Sequence, residues 1–345
     1  MSTLDVKVVQ VDDVRTHSNA DRLELVTIKG WQVVVQKDKW RPGDLGVYFP
    51  PDTLLPTKWT NEFGVTKYCQ PQPDDMQRIR CARLRGEPSF GLLIPALSVP
   101  GWVGLPEGTD VADLYDAQKY EPPIKFSAGD AESDHPGFFQ FTEIENLRNN
   151  PEIFLDGEEV YVTEKLHGTN CRIAIVESTT MAGSHRVRRR LPETADGFET
   201  NRYWFPYTIE GVRNLLQDLS DQYKSAILYG EVYGRGIQAF QYGQKGIAFA
   251  AFDLCLDGQY CSVDEFRGHM SSYGIPQVPE RYRGPYSLAA IQAVSKGQAF
   301  QGDHIREGVV VRPVQERSHP KVGRVILKYV SDEYLLGLKE DFTDL

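Results

Sequence analysis

Short segments rich in β-branched and aromatic residues, each followed by turn residues, fill the first third of the chain. Glycine, proline and aspartate mark turns at residues 29–30 and 41–44, and residues 86–88 are expected to form a loop. The segments expected to be strands are residues 6–14, 24–28, 31–36, 45–49, 77–84 and 90–94. Several short strands within about 110 residues predict a small all-β barrel that closes its own edges.

Arginines lie close together in one part of this region, at Arg78, Arg80, Arg83 and Arg85. Because side chains alternate between the two faces of a strand, Arg78 and Arg80 are expected on the same face. A basic strand face on a small barrel commonly holds a nucleic-acid backbone, and a solvated strand face is the alternative. A second cluster at residues 186–190 has the same two interpretations, and Arg188 is the candidate there for nucleic-acid contact.

Composition limits the class of protein. The formal net charge of −10 at pH 7 argues against general coating of nucleic acid, although a local basic groove remains compatible with it. No run approaches the roughly 20 apolar residues of a membrane span, and residues 1–12 lack the pattern of a signal peptide. The five cysteines are odd in number and are not spaced as zinc ligands. These features predict a cytoplasmic protein with no membrane partner and no disulfide framework.

The remainder of the chain mixes strands and helices. The strand pattern weakens over residues 120–135, so an interdomain linker is expected over residues 121–137. Strands are then expected at residues 159–164, 171–177, 226–233, 247–254, 308–312 and 322–330, and helices at residues 209–219, 263–273 and 287–294. The first two of these strands would form a hairpin or a strand–loop–strand unit. An all-β domain at residues 1–120 and a mixed α/β domain at residues 138–345 give an α+β fold class.

Lys165 comes at the end of an apolar strand-like run, residues 160–163, and precedes a glycine, Gly168. Partial burial there would lower the pKa of the amine by disfavouring its charged form. Bringing a lysine pKa from about 10.4 to about 8 costs roughly 3 kcal/mol. A neutral amine can attack an electrophilic phosphorus and form a covalent intermediate. One lysine before a glycine turn is usually a surface residue. Whether Lys165 is a nucleophile therefore depends on the motifs that follow it.

Further motifs follow this lysine in a definite order. The full set is Lys165-x-His167-Gly168-Thr169-Asn170, Arg186, Tyr229-Gly230-Glu231, Phe249-x-x-Phe252-Asp253, Glu307-Gly308-Val309-Val310-Val311-Arg312 and Ile326-Leu327-Lys328. This order resembles the covalent nucleotidyltransferases, which comprise polynucleotide ligases and messenger-RNA capping enzymes, over residues 140–331. The histidine form of the first motif is similar to RNA ligases. The whole chain looks like the Deinococcus-type RNA ligases, in which an N-terminal OB-fold domain precedes a nucleotidyltransferase (adenylyltransferase) domain.

The resemblance implies a role for each motif. Lys165 would take AMP covalently from ATP, and Glu231 and Glu307 would serve the ribose hydroxyls and Mg²⁺ or Mn²⁺, since hard cations prefer carboxylate oxygens. The other nucleotide contacts implied are His167, Gly168, Asn170, Arg186, Phe249 stacked on adenine, and Lys328. Phe252 is expected in the core. One departure concerns the last motif, because apolar residues follow Lys328 where a second basic residue is common.

The function implied is joining of 3′-hydroxyl and 5′-phosphate ends by a monomer. Its substrate would be nicked duplexes with RNA on the 3′-hydroxyl side, as in RNA repair. One alternative is a GTP-dependent capping-type guanylyltransferase, which would share Lys165, Glu231 and Glu307. The other is a non-catalytic OB-fold RNA-binding protein that uses the arginine clusters alone.

Overall fold

The computed structural model describes residues 4–99, 101, 103–121, 130–337 and 341–342, the last two without their side chains. The chain divides into two compact units, Met1–Ile124 with Leu335–Leu345, and Lys125–Tyr334. Residues 335–345, which the sequence analysis assigned to the second domain, therefore group with the first. Part of the expected linker, residues 122–129, lies outside the described residues. No helix within the described ranges is long and apolar enough to span a membrane.

The N-terminal unit consists mainly of short strands. They are β1 (Lys7–Gln10), β2 (Asp13–Thr16), β3 (Leu23–Ile28), β4 (Trp31–Gln36), β5 (Leu45–Phe49), β6 (Thr53–Pro56), β7 (Gln70–Gln72), β8 (Met76–Arg78), β9 (Cys81–Leu84), β10 (Glu87–Phe90), β11 (Leu92–Pro95) and β12 (Gln118–Lys119). The helical segments are α1 (Thr57–Glu62) and the 3₁₀ turns Thr66–Tyr68, Ala96–Ser98 and Ala112–Tyr115. Antiparallel pairing forms the sheets β1-β5-β11, β2-β3-β4 and β12-β6-β8-β7, and β9 pairs with β10.

Alternating side chains of these strands fill two apolar cores. Trp31 and Phe90 lie in one core with ring centroids 5.5 Å apart. Phe49 and Tyr115 lie in the other, with centroids 5.1 Å apart. Such aromatic pairs contribute about 0.5–1.5 kcal/mol beyond the burial of their area. The mostly β architecture expected for this part of the chain is confirmed.

One strand in this unit differs from the expectation. Residues 77–84 form two strands, because Ile79 turns into the core and its backbone bonds with Asp52 and Thr53 at 2.8 Å. Arg80 falls in the gap between β8 and β9, so the prediction that Arg78 and Arg80 share one face of a single strand is wrong. Residues 6–14 likewise divide into β1 and β2.

The C-terminal unit has longer strands and most of the helices. Its strands are β13 (Ala131–Glu132), β14 (Glu145–Asn146), β15 (Glu159–Glu164), β16 (Thr169–Val176), β17 (Thr179–Gly183), β18 (Arg188–Arg189), β19 (Ser225–Gly234), β20 (Ile247–Leu256), β21 (Gln259–Tyr260), β22 (Glu280–Pro285), β23 (Gly308–Pro313), β24 (Ser318–His319), β25 (Gly323–Arg324) and β26 (Leu327–Val330). The helical segments are α2 (Ala195–Thr200), α3 (Glu210–Ser220), α4 (Val263–Ser272), α5 (Leu288–Ser295), α6 (Asp332–Leu336) and the 3₁₀ turns Leu147–Asn149 and Phe205–Thr208. A final strand, β27 (Asp341–Phe342), pairs with β9 and belongs to the first unit.

Two facing sheets organise the C-terminal unit. One has the strand order β13-β18-β17-β16-β19-β20-β21, and the other has the order β14-β26-β23-β15-β22. Helices α3 and α4 pack on one face of the first sheet, and α5 packs on the outer face of the second. The inner faces meet in a core that includes Tyr229 from one sheet and Val310 from the other. The two sheets therefore enclose a space between them.

Most expected elements of this unit are present. Strand β15 and the next strand β16 belong to different sheets, so the loop that joins them is part of a strand–loop–strand unit and not of a hairpin. The segment at residues 322–330 divides into β25 and β26, and β17 and β22 were not expected. The α+β fold class is confirmed.

Candidate active site

An open cavity lies between the two sheets. Its polar lining includes Lys165, Asn170 and Glu231. Apolar side chains form much of the remaining wall, among them Phe252 and Val310. A concave, mostly apolar space with a few convergent polar groups is typical of a small-molecule site.

Lys165 lies where β15 ends, at the cavity. Its backbone N–H donates to the carbonyl oxygen of Gly308 at 2.9 Å, which ties it to the start of β23. Its Nζ is 2.5 Å from Oε1 of Glu307, and its side chain is 28% exposed. Burial alone lowers the pKa of this amine, but the carboxylates of Glu307 and Glu231 outweigh burial and raise it above the ordinary value. The expectation of a lowered pKa is therefore wrong for the site in this arrangement.

The two carboxylates beside Lys165 have different electrostatic states. Burial raises the pKa of Glu231 to about 8, although the charge of Lys165 acts against this shift. Burial would also raise the pKa of Glu307, but Lys165 and His167 outweigh it and hold the pKa below its ordinary value. Glu307 is thus the charged partner of the lysine, and Glu231 retains its proton to higher pH.

Gly168 allows the first motif to approach Glu231. A Cβ atom at this position would lie 2.3 Å from the carbonyl oxygen of Val232 and 2.9 Å from Cγ of Glu231. Real Cβ atoms do not approach other atoms so closely, so any other residue would displace the strand or the carboxylate. Asn170 lies opposite Glu231 in the β16–β19 register. Its Oδ1 is buried and has no hydrogen-bond partner in the part of the chain that the structure describes.

His167 is bound on several sides. Its Nδ1 lies 3.2 Å from Oε2 of Glu307 and 3.0 Å from the hydroxyl of Tyr334. Its backbone N–H donates to the hydroxyl of Tyr242 at 2.7 Å. His167 therefore helps to orient Glu307. Tyr334 was not a sequence candidate, because 167 residues separate it from His167 and no pattern links the two.

The structure corrects the assignment of the two phenylalanines. Phe249 is 3% exposed and packs in the core beneath α3 and α4, outside the cavity lining. Phe252, which was expected in the core, lines the cavity. Ala250 is opposite Glu231 in the β19–β20 register, so Phe252, two residues later, lies on the face that bears Glu231, and Phe249 lies on the other face.

Lys328 lies on the sheet face that bears the cavity. It is opposite Val310 in the β23–β26 register, and Val310 lines the cavity. Arg186 is not part of the lining; its Nη2 is 3.9 Å from Glu143, and its side chain is 44% exposed. The site thus gathers Lys165, His167, Gly168, Asn170, Glu231, Glu307 and Lys328 in one region, whereas Arg186 and Phe249 lie apart from the cavity wall.

Two of the arginines expected to contact nucleic acid, Arg78 and Arg188, already have intramolecular ion pairs. Arg78 donates twice to Oδ1 of Asp52, at 2.6 and 2.8 Å, and its guanidinium lies 3.7 Å from the ring centre of Tyr120. Arg188 forms an ion pair with Glu132 at 3.2 Å. The remaining three, Arg80, Arg83 and Arg85, are partly buried. Nε of Arg80 has no hydrogen-bond partner among the described groups.

The protein supplies only some of the ligands that a metal ion at this site would need. Within the described residues, no group of three or more His, Cys, Asp or Glu side chains is arranged to hold a metal ion. Glu231, Glu307 and the unpaired Oδ1 of Asn170 do supply oxygen donors at one place, which suits a hard cation that takes its other ligands from phosphates and water.

Comparison with known proteins gives independent information. A family model described as RNA ligase matches residues 158–330, and one described as an OB-fold domain matches residues 5–96. No curated protein sequence matches the chain.

Solved structures of Naegleria gruberi RNA ligase are similar to the chain over almost its full length. The ligase with PPi is 25% identical, with a TM-score of 0.78 and coverage of 96% of this chain and 98% of that one. A lysine-to-alanine variant with ATP and Mn has the same identity and coverage and a TM-score of 0.79. A lysine-to-methionine variant with AMP and Mn is also 25% identical, with a TM-score of 0.78 and coverage of 96% and 97%.

Proposed function

The chain belongs to the RNA ligase family, and from that premise we propose that it seals nicks in duplexes by means of a lysyl-AMP intermediate derived from ATP. The observation that carries this proposal is the position of Lys165, between Glu231 and Glu307 at a cavity lined by Phe252 and Val310. A nucleophile, two carboxylates and an apolar slot are the groups that covalent nucleotide transfer requires.

In the first step, Nζ of Lys165 attacks the α-phosphorus of ATP. A nitrogen–phosphorus bond forms, the bond from that phosphorus to the bridging oxygen breaks, and pyrophosphate leaves. The attacking amine must first lose its extra proton. The two carboxylates that now raise its pKa exert less attraction once they bind a cation, and burial, which lowers the pKa, then acts with less opposition.

The donor set fits a divalent cation. Glu231, Glu307 and Oδ1 of Asn170 would hold it, and Mg²⁺ or Mn²⁺ would neutralise phosphate charge. The relatives solved with ATP and Mn support this choice of nucleotide and metal. Since burial raises the pKa of Glu231 to about 8, cation binding should release a proton at neutral pH.

The apolar part of the cavity suits a flat base. Phe252 projects from β20 and Val310 from β23, so the two side chains come from opposite sheets. A base held between them would stack on the ring of Phe252, a contact worth about 1–3 kcal/mol. Lys328 on the same sheet face would meet phosphate charge.

AMP would next move from Lys165 to the 5′-phosphate at a nick. The 3′-hydroxyl would then attack that phosphate and expel AMP. A preference for RNA on the 3′-hydroxyl side is physically reasonable, because the 2′-hydroxyl is the group that distinguishes RNA from DNA. RNA repair by a monomer in the cytoplasm is the setting that the sequence predicts.

A set of nicked duplexes tests the proposal. The 3′-hydroxyl strand and the 5′-phosphate strand are each made as RNA or DNA, and sealing is followed on denaturing gels with ATP and Mg²⁺ or Mn²⁺. We expect sealing of every nick in which RNA supplies the 3′-hydroxyl, whether the 5′-phosphate strand is RNA or DNA. Lys165→Ala should seal only nicks that already carry AMP on the 5′-phosphate. Equal sealing of DNA 3′-hydroxyl ends, or no sealing of any nick, would contradict the proposal.

A further inference from the structure

Arg312 is a buried charged side chain in the wall of the cavity with one unused donor. It is 4% exposed and lines the cavity from β23. Its Nη1 donates to Oδ1 of Asp253 at 3.0 Å. Its Nη2 is buried and has no hydrogen-bond partner among the residues described by the structure. Buried polar groups nearly always have partners, so this vacant donor marks a place for a ligand.

The guanidinium is held firmly in place. Asp253, which is fully buried, also accepts from Nη1 of Arg324 at 2.6 Å. Arg324 in turn donates to Glu316 through Nε at 2.9 Å and Nη2 at 2.7 Å. Arg312 therefore cannot rotate to satisfy Nη2 without breaking this network. By contrast, the other buried charge in the wall, Glu164, is already bound by Arg281 and Arg306.

The position of Arg312 separates it from the reacting phosphate. Arg312 is opposite Tyr161 in the β15–β23 register, and Tyr161 precedes Lys165 by four residues, or roughly 13 Å along an extended strand. Val310, two residues earlier on the same face of β23, lines the cavity between these points. With the α-phosphate at Lys165, the donor on Arg312 lies on the side of the base.

We propose that Nη2 of Arg312 donates a hydrogen bond to a ring nitrogen of the adenine bound in this cavity, and so contributes to selection of the nucleotide. The inference rests on the proposed function. A guanidinium can only donate hydrogen bonds, and the ring nitrogens N1, N3 and N7 of adenine accept them. Asp253 is a positioning residue, because it binds the guanidinium but does not line the cavity, and Arg324 in turn holds Asp253.

Deaza analogues of ATP test this contact. The rate of protein–AMP formation is measured as kcat/KM with ATP and with its 1-deaza, 3-deaza and 7-deaza forms, each of which replaces one ring nitrogen by a C–H group. For the wild type we expect one analogue to be about 10- to 100-fold poorer than ATP, since hydrogen bonds to charged donors are the stronger ones. In Arg312→Met, kcat/KM for ATP itself should fall. The kcat/KM for the same analogue should then be no more than about 3-fold below that for ATP.

Arg283→Met is the matched control. It removes a cation of the same unit that pairs with Asp264 and does not line the cavity, so it should keep the wild-type pattern across the analogues. If Arg312→Met does not fold, Arg312→Gln replaces it, and the analogue penalty should shrink there too. An unchanged penalty in the Arg312 variants, or a wild type that uses all three analogues like ATP, would overturn the inference. A wild type that takes no AMP from ATP would overturn the proposed function itself.

Discussion

At the scale of single residues, the site depends on how closely charges are packed around Lys165. Glu307 is 2.5 Å from its Nζ, and Glu231 acts on it as well. Gly168 makes this arrangement possible, because its missing side chain leaves room for Glu231. A small change at either position should therefore have a large effect on chemistry.

Gly168→Ala should abolish most of the adenylylation activity. The new Cβ would collide with the carbonyl oxygen of Val232 and with Glu231, and a displacement of about 1 Å at a reacting site can cost about 100-fold in rate. Gly268→Ala in α4 is the control, since described atoms leave its Cβ position open; it should retain full activity. Equal activity of the two variants would show that Gly168 is not needed for spacing.

The pKa of Glu231 gives a dependence of stability on pH. The folded protein holds the proton of Glu231 to about pH 8, whereas the ordinary value is 4.5, so stability falls as pH rises between these values. Glu231→Gln removes this loss. At pH 9, without nucleotide or metal, the variant should be more stable than the wild type by about 1–3 kcal/mol, after allowance for partial exposure.

The same comparison at pH 4 is the internal control. Below the ordinary value of 4.5, residue 231 is mostly neutral in both proteins, folded or unfolded, so their free energies of unfolding in urea should agree. A wild type that remains as stable as Glu231→Gln at pH 9 would contradict the raised pKa.

At the scale of secondary structure, the pairing of Ala250 with Glu231 decides which aromatic ring of β20 faces the cavity. Alternation of period two places Phe249 and Phe252 on opposite faces, but it does not tell which of the two faces bears the cavity. Gly230 fits the observed packing, because a Cβ there would lie 2.2 Å from the ring of Phe249. The sequence shows Gly230 before Glu231, but it does not show that Phe249 packs against this glycine.

Alanine substitutions should separate the two rings. Phe249→Ala removes a core side chain and should lower the free energy of unfolding by about 3–5 kcal/mol. Phe252→Ala should destabilise less and raise the KM for ATP by about 5- to 100-fold, through loss of base stacking. Urea unfolding and ATP titration of protein–AMP formation measure the two effects. A larger KM change for Phe249→Ala would reverse the assignment.

At the scale of the whole molecule, the order of motifs was more informative than any single element. Strand bounds such as residues 31–36, 45–49 and 159–164 agree with the structure, because β-branched runs between turn residues are locally determined. Tyr334 and the spare donor of Arg312 were not predicted, since their roles depend on partners far away in sequence. The match of the RNA ligase family to residues 158–330 confirms the family inferred from the ordered motifs.

The N-terminal unit should contribute to sealing and not to adenylylation. Arg80→Ala removes a cation whose Nε lacks a partner among the described residues. We expect weaker binding of nicked duplex and unchanged protein–AMP formation. The slope of log affinity against log salt concentration should fall by about one, which corresponds to one phosphate contact. Arg15→Ala, which removes an exposed cation of the same unit, is the control and should bind as the wild type does. Equal binding by both variants would exclude Arg80 from the interface.

Transfer of label from ATP to the protein tests most directly whether Lys165 carries AMP. Wild type and Lys165→Ala, both first treated with pyrophosphate to remove bound AMP, are incubated with α-phosphate-labelled ATP or GTP and Mg²⁺ or Mn²⁺, then run on denaturing gels. We predict a labelled wild-type band from ATP only and no band from the variant. Label from GTP would indicate capping chemistry. An unlabelled wild type, or a labelled Lys165→Ala variant, would contradict the assignment of Lys165 as the residue that carries AMP.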